Sequence, residues 1–197
     1  MMIIFTKLGK LCLCLMMAIG IFTWTADRAQ ARSSIEYGQD IGFVSGSPDG
    51  TNFAMQFSMD WHSNKGFSIG PMVQFVPPGD FMMIAGALAT KYRYDLKQYT
   101  GTIETPIIRN IIPSSVVPFL GMGGMHTFLR RGSGPDRFEG HDSSYYVPLG
   151  VGVEWELHKS FSLSATFVHN FHDISYGDQF GHDRGSEAAF FGLRYRH

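Results

Sequence analysis

The chain has 197 residues, a formal net charge of −1 and a hydrophobic content of 44%. This near-neutral balance argues against a nucleic-acid partner, because domains that bind nucleic acid carry a clear excess of Lys and Arg. Cys12 and Cys14 are the two cysteines, and both lie in the N-terminal segment. The rest of the chain therefore offers no disulfide, no thiol nucleophile and no thiolate metal site.

Residues 1–31 have the pattern of a cleaved secretory signal peptide. Lys7 and Lys10 precede an apolar run, 11–22, that is too short for a comfortable membrane-spanning helix. Residues 29–31, Ala-Gln-Ala, match the small-x-small cleavage pattern, so we expect the mature chain to begin at Arg32. The alternative is an uncleaved N-terminal anchor. Residues 32–197 have a length that fits one domain.

Large apolar residues recur at every second position through most of this domain, which is the period of a β-strand. The clearest case is 145–157, where the odd-numbered residues are large and apolar and the even-numbered ones are mostly small or charged. On this basis we predict eight strands, at 35–44, 52–62, 67–76, 82–94, 116–130, 145–157, 161–172 and 188–197.

The predicted connections alternate in length along the chain. Turns 63–66 and 157–160 are short, and loops 131–144 and 175–187 at the opposite end are longer, as in a membrane barrel whose termini lie in the periplasm. Residues 95–115 break this rule. The isoleucine pairs 107–108 and 111–112 in that connection are compatible with a short extra strand or with a loop packed on the rim.

The fold class that this pattern predicts is all-β, an eight-stranded antiparallel up-and-down transmembrane β-barrel. Charged residues share a face with Gly, Ala and Ser, whereas a soluble barrel turns its apolar face inward. Aromatic residues also gather at strand ends on one side, as expected at a lipid–water interface. The predicted aromatic belt is Trp61, Tyr92, Tyr94, Trp155 and Tyr195.

The predicted inward face carries charges of both signs. An eight-stranded barrel is just wide enough inside for its own side chains, and buried charges must pair to be tolerated. We therefore expect a buried ionic network rather than an ion pathway, although a narrow channel is the alternative. The predicted members of the network are Glu36, Asp40, Asp60, Lys91, Arg93, Glu154, Glu156, Arg194 and Arg196.

Three segments resemble the small outer-membrane β-barrel proteins of the opacity-protein and OmpA-transmembrane-domain kind. They are 118–123 (Pro-Phe-Leu-Gly-Met-Gly), 150–155 (Gly-Val-Gly-Val-Glu-Trp) and 191–195 (Phe-Gly-Leu-Arg-Tyr). The resemblance covers most of the mature chain and implies an architecture, in the outer membrane of a Gram-negative bacterium, rather than an activity. It also implies that the assembly machinery reads a C-terminal strand ending in an aromatic residue. Tyr195 is that aromatic, although Arg196 and His197 follow it.

We accordingly expect a non-catalytic monomer with a structural or surface-interaction role and no cofactor. Its expected partners are outer-membrane lipid, lipopolysaccharide and the assembly machinery, with no nucleic acid. Binding of an unidentified surface ligand at loops 47–51, 131–144 or 175–187 is a further alternative. These loops contain Arg and aromatic residues, which are common at binding surfaces.

The enzymatic alternative is a lipid A deacylase. That family is also an eight-stranded outer-membrane barrel, with a His-x-Ser pair on a late strand followed by a Glu. Here Phe171, not Ser, stands two residues after His169. His172 and Ser175 are three apart and cannot share a strand face unless a bulge intervenes, and Glu187 would complete the set.

Three His-Asp pairs, at 141–142, 172–173 and 182–183, bring imidazole and carboxylate together, which is a combination that binds Zn²⁺ or another transition metal. Residues adjacent in sequence do not give helix-type ligand geometry, and exposed loops commonly carry both types. The sequence therefore predicts no metal site, with His141 and His182 as weak candidates.

Overall fold

The computed structural model describes residues 34–47, 50–63, 65–96, 112–131, 138–176 and 182–197. They all belong to one compact unit, Ser33–His197. The predicted signal peptide and the isoleucines at 107, 108 and 111 lie outside the described residues. Within the described part of the chain, no helix is long and apolar enough to cross a membrane.

Eight long strands make up the described fold, and a two-residue strand, Tyr94–Asp95, continues the fourth of them. The long strands are β1 Ile35–Ser47, β2 Gly50–His62, β3 Phe67–Val76, β4 Phe81–Tyr92, β5 Ser115–Arg131, β6 Phe138–His158, β7 Phe161–Ser175 and β8 His182–Arg196. Each pairs antiparallel with the next in sequence, and β8 pairs with β1, which closes the barrel. The prediction of an eight-stranded antiparallel barrel is confirmed.

Side chains alternate between the two faces of the wall as the sequence pattern predicts. On β3, Phe67 and Val73 are exposed on the outside, whereas Ser68 and Gln74 are buried inside. On β6, Tyr145, Leu149 and Val151 are exposed on the outside, whereas Tyr146 and Pro148 are buried inside. The outer wall is thus a continuous band of large exposed apolar side chains, which suits lipid and not water.

The strands extend further than predicted at one end of the barrel. We call the rim that carries Ile35 and Arg196 the terminal rim, and the opposite one the far rim. At the far rim β6 begins at Phe138 and β8 at His182, so most of the predicted loops 131–144 and 175–187 is strand. The loop predictions were wrong because Gly, Asp and Ser dominate these stretches, yet their backbones pair with β5 and β7.

Candidate functional site

The interior of the barrel holds three successive groups of side chains. A charged group lies at the terminal rim, a set of hydrogen-bonded amides and hydroxyls follows, and apolar side chains fill the far end. The order follows from the strands, since each contributes its inward residues in sequence. The interior therefore contains the residues that were predicted to form the ionic network.

Arg93 is the centre of the charged group. It directly follows β4, and its Nη2 lies 2.8 Å from Glu36 Oε2 and 2.8 Å from Glu154 Oε2. Glu36 is on β1 and Glu154 on β6, so one guanidinium joins three separate parts of the wall across the lumen. Glu36 also pairs with Arg196 at 2.7 Å. We call these four residues the ionic plug.

Two further ion pairs lie beside the ionic plug. Lys91 Nζ is 2.7 Å from Asp60 Oδ2, and Arg194 Nη1 is 2.8 Å from Asp40 Oδ2. Asp40 also accepts a hydrogen bond from Ser164 at 2.9 Å. Neighbouring glycines make room for the Arg194 pair, because a Cβ at Gly38 would overlap the guanidinium and one at Gly192 would overlap Asp40. These contacts match the pairing that buried charges require.

Eight of the nine residues predicted for the ionic network form the ion pairs described above, and Glu156 lies beside them at the terminal rim. It occupies an inward position of β6, yet its side chain is exposed at the terminal rim. It lines a cavity of about 180 Å³ that opens there, and the four residues of the ionic plug line the same cavity. Sequence alternation assigns a face but not a depth, and Glu156 lies where β6 leaves the lumen.

A chain of hydrogen bonds, which the sequence analysis did not predict, crosses the middle of the lumen. Gln56 donates to Asp40 at 3.2 Å and accepts from Gln74 at 3.0 Å. Asn170 donates to Gln74 at 3.3 Å and accepts from the Tyr146 hydroxyl at 3.0 Å. The polar groups of this amide chain are therefore satisfied by one another, as buried polar groups generally are.

The far end of the lumen is mostly apolar, although Thr127 and His172 are also buried there. Six side chains with 4% exposure or less fill it, and we call them the far apolar layer: Val44, Val76, Phe81, Met83, Leu129 and Ile174. All belong to one buried cluster. On each strand they occupy inward positions beyond the polar inward residues. A prediction that gave each inward residue a depth in the lumen, as well as a face, would have placed them at the far end.

The predicted aromatic belt lies on the outer wall near the terminal rim. Tyr94 and Tyr195 are exposed, and Trp61, Tyr92 and Trp155 are half-buried by their neighbours. Tyr92 packs against Phe67 at 4.7 Å between ring centroids, and Tyr195 against Phe161 at 5.0 Å. All five predicted members lie near the terminal-rim ends of their strands.

The residues of the deacylase alternative do not come together. His172 points into the lumen, where its Nε2 lies 3.3 Å from Ser186 Oγ. The β7–β8 register does shift between Phe171 and Ile174, but burial still alternates through it, and Ser175 is out of phase with His172. Glu187 is exposed on the outer face, opposite His169.

The end of β8 near His172 projects past the apolar band. There burial raises the pKa of the Asp183 carboxyl, and the nearby His172 ring opposes that rise. The His172 Nδ1 lies 3.2 Å from the Asp183 carbonyl oxygen rather than from its carboxylate. In a Ser–His–carboxylate system it is the carboxylate that orients the imidazole.

The hairpin of β5 and β6 at the far rim carries polar side chains outward. His126 Nδ1 is 2.8 Å from Ser143 Oγ, and the rings of His126 and His141 are 6.1 Å apart. Arg130 and Glu139 pair at 3.3 Å. In the described part of the chain, no three or more His, Cys, Asp or Glu side chains are arranged to hold a metal ion. The side chain of His182 lies outside the described residues.

Proteins of known structure share this fold. A major outer membrane protein from Thermus thermophilus has a TM-score of 0.60 at 10% identity, over 84% of this chain and 99% of that one. The N-terminal β-barrel domain of OprF from Pseudomonas aeruginosa has a TM-score of 0.50 at 11% identity, over 85% and 100%. No family model and no curated protein matches the sequence. The resemblance to small outer-membrane barrels is confirmed for the fold.

Proposed function

We propose that this chain is an integral outer-membrane protein with a non-catalytic role, structural or in surface interaction, and that its lumen is closed to solutes. The observation that carries the proposal is a barrel filled at both ends, by the ionic plug and by the far apolar layer. A barrel filled in this way acts through its wall and its exposed rim, and not through a pore.

The outer wall supports insertion in a membrane. Ile41, Leu120, Met122 and Phe191 are each more than half exposed on it, although they are large and apolar. Lipid removes the cost of that exposure. The predicted signal peptide supports export, and the fold is that of known outer-membrane proteins. The terminal rim would then face the periplasm.

The filled interior supports a closed lumen. An ion entering at the terminal rim would have to displace the Arg93 guanidinium from Glu36 and Glu154, and breaking such a buried pair costs about 3–5 kcal/mol. It would then meet the far apolar layer, which has no group to replace its hydration shell.

The separate positions of His172, Ser175 and Glu187 support a role without acyl-ester hydrolysis, because a Ser–His–carboxylate system needs hydrogen-bond contact between its members. Outer-membrane lipid and lipopolysaccharide are the partners we propose for the outer wall and far rim. The chain acts as a monomer in this proposal.

The test uses mature protein refolded in detergent micelles and then in planar bilayers, with lipid A in a parallel tube. We expect heat-modifiable gel migration, no steady conductance and unchanged lipid A mass. A steady unit conductance would overturn the closed lumen. Loss of an acyl chain that His172→Ala or Ser175→Ala abolishes would overturn the non-catalytic role, and a lack of heat-modifiability would count against the membrane barrel.

A further inference from the structure

We propose that His126 and His141 form a binding site for one divalent transition-metal ion on the outer face of the β5–β6 hairpin. The β5–β6 ladder pairs His126 with Ser143 and Phe128 with His141, so the two histidines are diagonal neighbours across adjacent strands. Both face outward, and diagonal neighbours on one face are within reach of long and aromatic side chains. The site is separate from the interior groups that support the proposed function.

The ring separation suits chelation. A metal–nitrogen bond of about 2 Å places each ring centre about 3 Å from the ion, so two rings on one ion lie about 5–6 Å apart. The His126 and His141 centroids are 6.1 Å apart with planes tilted by 51°. The His141 ring is exposed, so in the proposed site it rotates to place both imidazoles on one ion.

Ser143 orients one of the two rings. Its Oγ lies 2.8 Å from His126 Nδ1. When Nδ1 carries the proton and donates to this hydroxyl, Nε2 keeps the lone pair that binds a metal. Metal-binding imidazoles typically have their other ring nitrogen held in this way, and that contact fixes both tautomer and ring orientation.

The site lies where the outer face of β6 becomes polar, although Phe128 of β5 stands opposite His141. Tyr145 is the last large apolar residue exposed on the outer face of β6, and Ser143 and His141 follow it toward the far rim. Two charged groups lie near the pair. The Asp142 carboxylate accepts hydrogen bonds from the Ser143 and Ser175 amides at 2.8 Å, and Arg130 and Glu139 pair with each other at 3.3 Å. Water can therefore reach the ion and fill its remaining positions.

The donor set defines the kind of ion. Two imidazoles with open positions suit Cu²⁺, Ni²⁺ or Zn²⁺, whereas Ca²⁺ and Mg²⁺ prefer several oxygen ligands. Within the described residues, no third His, Cys, Asp or Glu is arranged around the pair to complete a closed structural site. The site is thus an open surface chelate.

The experiment titrates Ni²⁺, and separately Cu²⁺, into tag-free refolded protein by calorimetry, with gel migration as a check of folding. We expect one equivalent to bind, and His126→Ala and His141→Ala each to weaken it at least tenfold. The double variant should lose no more metal affinity than either single variant, because the one imidazole left in a single variant cannot chelate the ion. Cu²⁺ should also show electron-paramagnetic coupling to two nitrogens.

His158→Ala is the matched control, since His158 is an exposed histidine of the terminal rim. It should bind with the affinity of the unchanged protein. Equal weakening in His158→Ala, retained affinity in either His126→Ala or His141→Ala, or coupling to a single nitrogen would each overturn the site.

Discussion

At the scale of single residues, Arg93 has the largest expected effect on stability. Arg93→Gln leaves Glu36 without one partner and Glu154 without its guanidinium, in a part of the lumen where both carboxylates are buried. We expect a loss of about 3–5 kcal/mol in the free energy of unfolding, because removal of one partner strands a buried charge. Urea unfolding of refolded protein measures it.

Arg130→Gln is the control for that variant. Arg130 and Glu139 form a pair whose side chains are nearly half exposed, and such surface pairs contribute about 0–1 kcal/mol. The two variants remove the same chemical group. Similar losses in both would contradict the view that the ionic plug is energetically distinct from a surface pair.

Two inward glycines also give a residue-scale prediction. A Cβ at Gly38 would overlap the Arg194 guanidinium, and one at Gly192 would overlap Asp40. We expect Gly38→Ala and Gly192→Ala each to destabilise the barrel by about 1–3 kcal/mol, the usual cost of overpacking. Gly86→Ala is the control in the same urea assay, since a Cβ there meets nothing within 4 Å. A loss as large in Gly86→Ala would refute the steric explanation.

At the scale of elements, the structure of β8 accounts for a residue that follows Tyr195, where the pattern of the resembled family ends in an aromatic residue. Arg196 follows the aromatic Tyr195, but the Arg196 side chain turns inward to Glu36 at 2.7 Å while Tyr195 stays on the outer wall. The outward face of β8 therefore still ends in an aromatic residue, and we keep the prediction that the assembly machinery reads this strand.

Tyr195→Ala should lower the amount of barrel assembled in the outer membrane of expressing cells by several-fold. Tyr37→Ala is its matched control, because Tyr37 pairs with Tyr195 across β1 and β8 and has similar exposure. Both variants should refold alike in detergent, since both lose one interfacial ring. Equal assembly of the two variants in cells would mean that the last strand is not read.

The β6–β7 pair shows a second element-scale feature. Beyond Val147 and Phe171 the backbone ladder of these strands stops. The Asp173 amide instead donates to Ser144 Oγ at 2.9 Å, and the Ser175 amide to Asp142 Oδ2 at 2.8 Å. Side chains of β6 thus replace the backbone acceptors at the far rim.

Asp142→Ala should therefore speed hydrogen exchange at the Ser175 amide by about tenfold or more, because a hydrogen bond to a charged group contributes about 1.5–3 kcal/mol. The Val168 amide, in the regular part of β7, should exchange at an unchanged rate in the same spectrum. Unchanged exchange at Ser175 would show that this carboxylate does not hold the strand.

At the scale of the whole molecule, the barrel has two closures that are independent of each other. The ionic plug lies at the terminal rim and the far apolar layer at the opposite end, and no residue belongs to both. Arg93→Ala should therefore leave planar bilayers without conductance, although it opens the charged end. Conductance in Arg93→Ala alone would show that the far apolar layer does not seal the lumen.

The sequence by itself determined which face each residue takes, because a strand has a period of two and a one-step slip would turn every side chain to the wrong side. That is why the barrel, the exposed apolar band and the inward charges were predictable. The sequence did not determine strand length at the far rim. The Gly, Asp and Ser residues there are typical of a loop, and only their backbone pairing with β5 shows that they are strand.

Only the tertiary structure decided which inward and outward residues meet. Arg93 reaches Glu36 and Glu154 because closure of the sheet brings β1 and β6 to opposite sides of one narrow lumen. His126 meets His141 because the β5–β6 register places them on a diagonal, which no pattern within either strand encodes. Periodicity is a property of one strand, whereas register and closure are properties of pairs and of the whole sheet.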